Sequence, residues 1–106
     1  METNNLMQLE TEITNVLRDI YDPEIPVNIF DLGLIYEINV GDSNDVEIVM
    51  TMTAPNCPMA DELVNEVTER VKEIPGVKEF KLTLTFDPAW SKEMMSEEAL
   101  LVLGFL

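Results

Sequence analysis

The sequence predicts an α/β fold of the α+β kind: a two-layer sandwich with helices on one face of a three-stranded mixed sheet. Three patterns predict it: a helical apolar period before residue 21, alternating segments at 34–40, 46–53 and 77–86, and a helical period between the last two. The predicted element order is α-β-β-α-β-α. A chain of 106 residues can bury one core, so we expect a single domain spanning residues 1–106.

The first helix is predicted by apolar residues that recur at three- and four-residue intervals: Leu6, Leu9, Ile13, Val16, Leu17 and Ile20. Asn4 or Asn5 is expected to cap its start. The helix should end near Tyr21, because Asp22 precedes Pro23 and the residue before a proline avoids helical angles.

Residues 22–34 are predicted to form an ordered loop laid against the body of the protein. Pro23 and Pro26 argue against a helix or a central strand, while the segment is too apolar for a solvated linker. Gly33 is expected to supply a backbone angle that other residues resist. Ordered loops of this length are often functional.

An antiparallel hairpin is predicted next. Residues 34–40 alternate, residues 41–45 form a turn cluster, and a second strand follows at residues 46–53. The side chains expected on the apolar face are Leu34, Tyr36, Ile38 and Val40 from the first strand and Val46, Ile48, Met50 and Met52 from the second.

The third strand, residues 77–86, should run parallel to the second, because a helix ending at Pro75-Gly76 connects them. Its expected apolar face holds Phe80, Leu82, Leu84 and Phe86. The opposite face of the sheet is predicted to be polar and to collect Glu37, Glu47, Thr51, Thr53, Lys81, Thr83 and Thr85. A turn at residues 87–91 and a capped helix from Ser96 to Gly104 end the chain.

The single cysteine lies at the junction between the second strand and the following helix. Pro58 suits the first helical position, which leaves Cys57 at or beside the N-cap. The positive end of a helix dipole favours a thiolate there. The alternative is that Cys57 is a small buried apolar residue, as cysteines often are.

Charge and composition exclude several classes of function. Six Lys plus Arg against 21 Asp plus Glu give a net charge of −15, which argues against nucleic acid and anionic membranes as partners. One cysteine and no histidine rule out an internal disulfide, the usual zinc sets and the Ser-His-Asp or Cys-His arrangements. With no secretion signal and no apolar run of membrane-spanning length, we expect a cytoplasmic protein.

Three loops could still carry chemistry: residues 22–34, 54–57 and 87–91. Carboxylates in them (Asp22, Glu24, Asp31 and Asp87) could form an acid–base pair, although capping and turn formation suit Asp22 and Asp87 as well. Trp90 is expected to be a core or interface anchor. A lone thiolate could serve as one ligand of a soft metal or an iron–sulfur cluster, with the remaining ligands supplied by another molecule.

Four spaced motifs occur in chain order: Asp22-Pro23-Glu24-x-Pro26, Asp31-Leu32-Gly33-Leu34-Ile35, Thr51-x-Thr53-x-x-x-Cys57-Pro58 and Asp87-Pro88-x-Trp90. Together with the ending at residues 94–104, they closely resemble the metal–sulfur cluster assembly factor family, which includes SufT-like and PaaD-like proteins. The resemblance implies a fold of the iron–sulfur assembly type and a reactive, functionally important Cys57. It also implies that motif residues surround this thiol: Asp22, Pro23, Glu24, Asp31, Gly33, Thr51, Thr53, Pro58, Asp87 and Trp90.

The resemblance further implies a non-catalytic role in maturing iron–sulfur proteins. Cys57 would be a transient cluster or metal ligand, shared between two subunits of a homodimer, and no stably bound cofactor is expected. The expected partners are iron–sulfur assembly proteins and apo client proteins. The alternatives are an adaptor in which Cys57 is merely packed, an enzyme with a Cys57 nucleophile, and a PaaD-like accessory protein. The missing cysteine-rich tail argues against the last of these.

Overall fold

The computed structural model describes residues 2–22, 25–53 and 60–105, and for residues 2–6 and 60 it describes the backbone alone. The predicted element order is confirmed, with two short helical turns added. The elements are α1 (Glu2–Leu17), α2 (Ile29–Leu32), β1 (Ile35–Val40), β2 (Asp45–Met50), α3 (Ala60–Lys72), β3 (Glu79–Leu84), a 3-10 turn (Lys92–Met94) and α4 (Glu97–Val102). No described helix is both long and apolar enough to cross a lipid bilayer.

The sheet is mixed, as the sequence predicts. Its strands lie in the order β1-β2-β3, with β2 antiparallel to β1 and parallel to β3. The apolar side chains expected on β2 and just after it are all buried: Val46, Ile48, Met50 and Met52. They form one core with buried residues of α1 and α3, such as Ile13 and Val67. This burial of one face of a sheet against two helices is the main apolar stabilisation of the fold.

Helix α1 differs from the prediction at both ends. It begins at Glu2, so Asn4 and Asn5 lie within the helix and the predicted cap is wrong. It ends at Leu17 rather than near Tyr21. Ile20 is buried beyond the helix end, where its carbonyl accepts a hydrogen bond from the backbone N–H of Ile29. The helix thus stops five residues before Asp22, and a hydrogen bond to the following loop holds Ile20 in place.

The predicted loop at residues 22–34 contains one turn of helix, α2. Asn28 caps it by accepting from the N–H of Asp31, and Gly33 ends it with φ of +89°. The expectation of no helix was therefore wrong for residues 29–32, because the prolines lie ahead of this turn and do not interrupt it. The expected special backbone angle at Gly33 is confirmed.

A β-bulge interrupts β1 at Tyr36. Ile35 pairs with Met50, whereas Glu37 pairs with Val49, so Tyr36 is the extra residue. The predicted strict alternation from Leu34 to Val40 is therefore wrong at Tyr36. Its hydroxyl reaches across the sheet face opposite the core and donates to the carbonyl of Pro88 at 2.8 Å.

Strand β3 is shorter than predicted and its last apolar side chains are exposed. The ladder with β2 ends at the pair Met50–Leu84, and β3 is an edge strand. Leu84 and Phe86, which the sequence places on the apolar face, are exposed by 40% and 38%. The ending of the chain is as predicted, because Ser96 caps α4 by accepting from Ala99 N–H and Gly104 follows with φ of +82°.

Candidate functional site

Three chain segments meet at one end of the sheet, where β2 and β3 finish. Thr51 N–H donates to the carbonyl of Leu34 at 2.8 Å, and Thr85 N–H donates to the carbonyl of Met50 at 2.9 Å. We call the region of Leu34, Thr51 and Thr85 the carboxyl edge. In α/β folds, functional sites gather where parallel strands end and the chain turns into a helix. The carboxyl edge is the position of this kind in the present chain.

The motif that follows β2 is described up to Thr53 and again from Ala60. Residues 54–59 lie outside the described residues, and with them the predictions made for Cys57 and Pro58. Pro23 and Glu24 of the first motif also lie outside them. Those predictions stand as predictions. On one side of this gap, Thr53 is half-buried where the chain leaves the carboxyl edge. On the other side, α3 carries Asp61 and Glu62 in its first turn.

Thr51, which is predicted to lie on the polar face of the sheet, is fully buried. Its side chain alternates with those of Met50 and Met52 and so lies on the face opposite the core. The connection between β3 and α4 lies on that side of the sheet, where the hydroxyl of Tyr36 donates to the carbonyl of Pro88. The sequence pattern predicts the face on which Thr51 lies but not its burial there.

That connection is fastened by hydrogen bonds that span most of the chain. Trp90 Nε1 donates to the carbonyl of Leu32 at 2.8 Å, and Ser96 N–H donates to the carbonyl of Asp31 at the same distance. Trp90 is half-buried against the core, which confirms its predicted role as an anchor. The motif residues Asp31 and Trp90 are thus brought together through the backbone of α2.

Two of the candidate acid–base carboxylates have structural roles. The Oδ1 of Asp22 accepts from Ile25 N–H at 3.0 Å and stabilises a turn. The Oδ2 of Asp31 accepts from Asn28 Nδ2 at 2.8 Å within the α2 cap. Asp87 is exposed, and its N–H donates to Thr85 Oγ1 at 3.2 Å. Within the described parts of the chain, no three His, Cys, Asp or Glu side chains are arranged to hold a metal ion.

An open groove of about 710 Å³ lies on the sheet face opposite the core and extends to the carboxyl edge. We call it the open-face groove. Its floor crosses all three strands, and its wall is the connection after β3. The principal lining residues are Tyr36, Glu37, Val49, Thr83, Asp87 and Met94. The sequence prediction missed Tyr36 and Met94, because only the bulge brings the first into the groove and only a long-range contact brings the second.

Comparison with known proteins gives one family. A family model described as "Iron-sulfur cluster assembly protein" matches residues 10–82, more than half of the chain. A "Fe-S protein maturation auxiliary factor" of Porphyromonas gingivalis is 54% identical over 103 residues, covering 97% of this chain and 98% of its own. The "Fe-S protein maturation auxiliary factor SufT" of Staphylococcus aureus is 35% identical over 85 residues, covering 80% and 97%.

A solved structure has the same fold. A domain of unknown function from Bacillus anthracis superposes with a TM-score of 0.88 at 34% sequence identity, covering 98% of this chain and 99% of that one.

Proposed function

This chain belongs to the iron–sulfur cluster assembly protein family, and from that premise we propose that it is a non-catalytic factor in the maturation of iron–sulfur proteins. The observation that carries the proposal is the match along almost the whole length of a relative named as a maturation auxiliary factor, at 54% identity. The proposed role places the chain in the cytoplasm, the compartment in which thiols stay reduced.

We assign the transient binding of a cluster or of iron to Cys57. The chain supplies one thiol, whereas iron–sulfur clusters are held by about four ligands, mostly cysteine thiolates. The remaining ligands must come from a second copy of the chain, an assembly protein or an apo client. Such incomplete ligation suits a factor that passes a cluster on, because release then requires few bonds to break.

The hydrogen-bonded carboxyl edge supports this assignment, because the chain runs from it into residues 54–59, the segment that contains Cys57. Thr53 begins the segment at the carboxyl edge, where hydrogen bonds from Thr51 and Thr85 hold three strands' ends together. A rigid anchor of this kind positions a flanking ligand better than a mobile loop does.

The test is restoration of iron–sulfur enzyme activity in a strain that lacks the gene. We expect the wild-type chain to restore activity and Cys57→Ala to restore little, at equal protein levels. Restoration by Cys57→Ala to the wild-type level would remove the ligand role. Failure of the wild-type chain itself would contradict a function in maturation.

The open-face groove favours a second function, that of an adaptor that holds assembly proteins and clients together. If this is the whole function, partner capture and enzyme maturation both survive Cys57→Ser and both fail when the groove is altered. Survival of capture together with loss of maturation would instead show that docking and cluster transfer are separate properties of one protein.

A further inference from the structure

We infer that the open-face groove docks an extended segment of a partner protein that carries arginine or lysine between apolar residues. The inference goes beyond the proposed function, because it concerns recognition and does not depend on what Cys57 binds. Three properties of the groove carry it: its shape, the hydrogen-bonding capacity that its walls leave unused, and its charge.

The floor of the groove is a straight row of side chains across the sheet. Glu37 on β1 pairs with Val49 on β2, which pairs in turn with Thr83 on β3. Three strands span about 10 Å, wide enough for one extended chain with its side chains. Val49 and Met94 supply apolar surface on the floor and wall. Alternate side chains of an extended segment would therefore find apolar contact.

The hydroxyl donors of the groove are already engaged within the protein. Tyr36 donates to the carbonyl of Pro88 at 2.8 Å, and Thr83 Oγ1 donates to Glu47 at 2.9 Å. What remains available is mainly acceptor capacity, on the carboxylates of Glu37 and Asp87. A carboxylate offers about four lone-pair sites, and Glu37 uses one described contact, from Asn39 Nδ2 at 3.2 Å. An occupant must therefore bring donors.

Among the described residues, neither of these two carboxylates has an ion-pair partner. All six Lys and Arg residues belong to the described parts of the chain, and none forms an ion pair with Glu37 or Asp87 there. The cationic side chains with contacts are engaged with other groups: Arg70 with Asp19 and Glu66, Lys81 with Glu47, and Lys92 with the ring of Phe105. Arg18 lies on the ring of Phe30 at the border of the groove and pairs with neither carboxylate.

This charge pattern selects the occupant. A second copy of the chain would bring another net charge of −15 to an acidic groove, which is unfavourable. A basic segment complements the groove, and arginine fits best because its guanidinium can donate two parallel hydrogen bonds to a carboxylate. Asp87 N–H donates to Thr85 Oγ1, so the groove and its proposed occupant reach the carboxyl edge.

The test is binding of a labelled peptide, Gly-Leu-Arg-Val-Arg-Leu-Gly, followed by fluorescence anisotropy and by amide chemical shifts of the protein. The groove variant combines Glu37→Gln with Asp87→Asn. Both changes keep a carbonyl acceptor, so the contact from Asn39 survives. The matched control combines Glu10→Gln with Glu12→Gln, which makes the same change in charge on exposed positions of α1.

We expect the groove variant to bind the peptide at least about tenfold more weakly than the wild type, and the control to bind within about twofold, since charged hydrogen bonds are lost only in the first. Shifts should concentrate at Tyr36, Val49 and Thr85. Equal weakening in both variants, shifts elsewhere, or equal binding of a peptide with Glu in place of Arg would overturn the inference. Self-association of the wild type that the groove variant abolishes would overturn it in favour of a second copy.

Discussion

Gly33 is constrained in two independent ways. Its φ of +89° lies in the left-handed region, and a Cβ placed on it would approach the carbonyl oxygen of Met94 to 2.5 Å. The sequence predicted the first constraint, because a glycine at the end of a loop indicates a backbone angle that other residues rarely adopt. It could not predict the second, since the contact joins residues that are 61 positions apart.

Replacement of Gly33 by alanine should therefore destabilise the protein by more than about 2 kcal/mol, the sum of left-handed strain and displacement of the Met94 backbone. Gly41→Ala is the matched control, because a Cβ there meets Asp45 only at an ordinary distance of 3.7 Å. Urea unfolding followed by circular dichroism measures both. Equal stability of the two variants would contradict the close approach to Met94.

The connection between β3 and α4 is the element on which the groove depends. Two hydrogen bonds hold this connection in place. The hydroxyl of Tyr36 on β1 donates to the carbonyl of Pro88 in the connection, and Trp90 of the connection donates to the carbonyl of Leu32 on α2. The sequence identified Trp90 as an anchor but placed Tyr36 in the core, because strict alternation is the default for a strand and nothing in residues 34–40 signals a bulge. The sequence motifs identified Asp87 and Trp90 in this connection and missed Tyr36 and Met94.

Tyr36→Phe removes the hydrogen bond to Pro88 and a weaker one, at 3.5 Å, to Met94 Sδ, and should cost about 0.5–1.5 kcal/mol of unfolding free energy. Trp90→Phe removes the bond to Leu32 and should cost more, because it also removes part of a ring packed against the core. The loss of unfolding free energy in the double variant should differ from the sum of the two single losses by at least about 0.5 kcal/mol, because both bonds hold one element. Circular dichroism in urea is the suitable probe, since the only tryptophan is lost. Thr11→Ala combined with Trp90→Phe is the control and should be additive. Additivity of the first pair would show that the two anchors act independently.

At the scale of the whole molecule, acidic side chains far outnumber basic ones, so we expect repulsion among like charges to outweigh attraction. The described ion pairs are three in number, all on partly or largely exposed side chains, against a net charge of −15. Exposed pairs contribute about 0–1 kcal/mol each. The fold is consequently held by the core beneath the sheet, and this is why the apolar patterns alone predicted its element order and mixed sheet.

Sodium chloride should therefore raise the Tm. Between 10 and 200 mM, screening shortens the reach of repulsion from about 30 Å to below 10 Å. We expect a rise that is smaller in a variant with Glu10→Lys and Glu12→Lys, whose net charge is less negative. Differential scanning calorimetry measures both. A Tm that falls with added salt would indicate that attractive pairs dominate.

The central claim is that the thiolate of Cys57 is one ligand of a transiently bound iron–sulfur cluster. Anaerobic reconstitution with iron and sulfide tests it most directly, with absorption spectra and gel filtration on the wild type beside Cys57→Ala. We predict a visible chromophore that depends on Cys57 and elutes with a dimer, as expected for a cluster held between two subunits. An equal chromophore in Cys57→Ala, or none above the background of that variant, would contradict the claim.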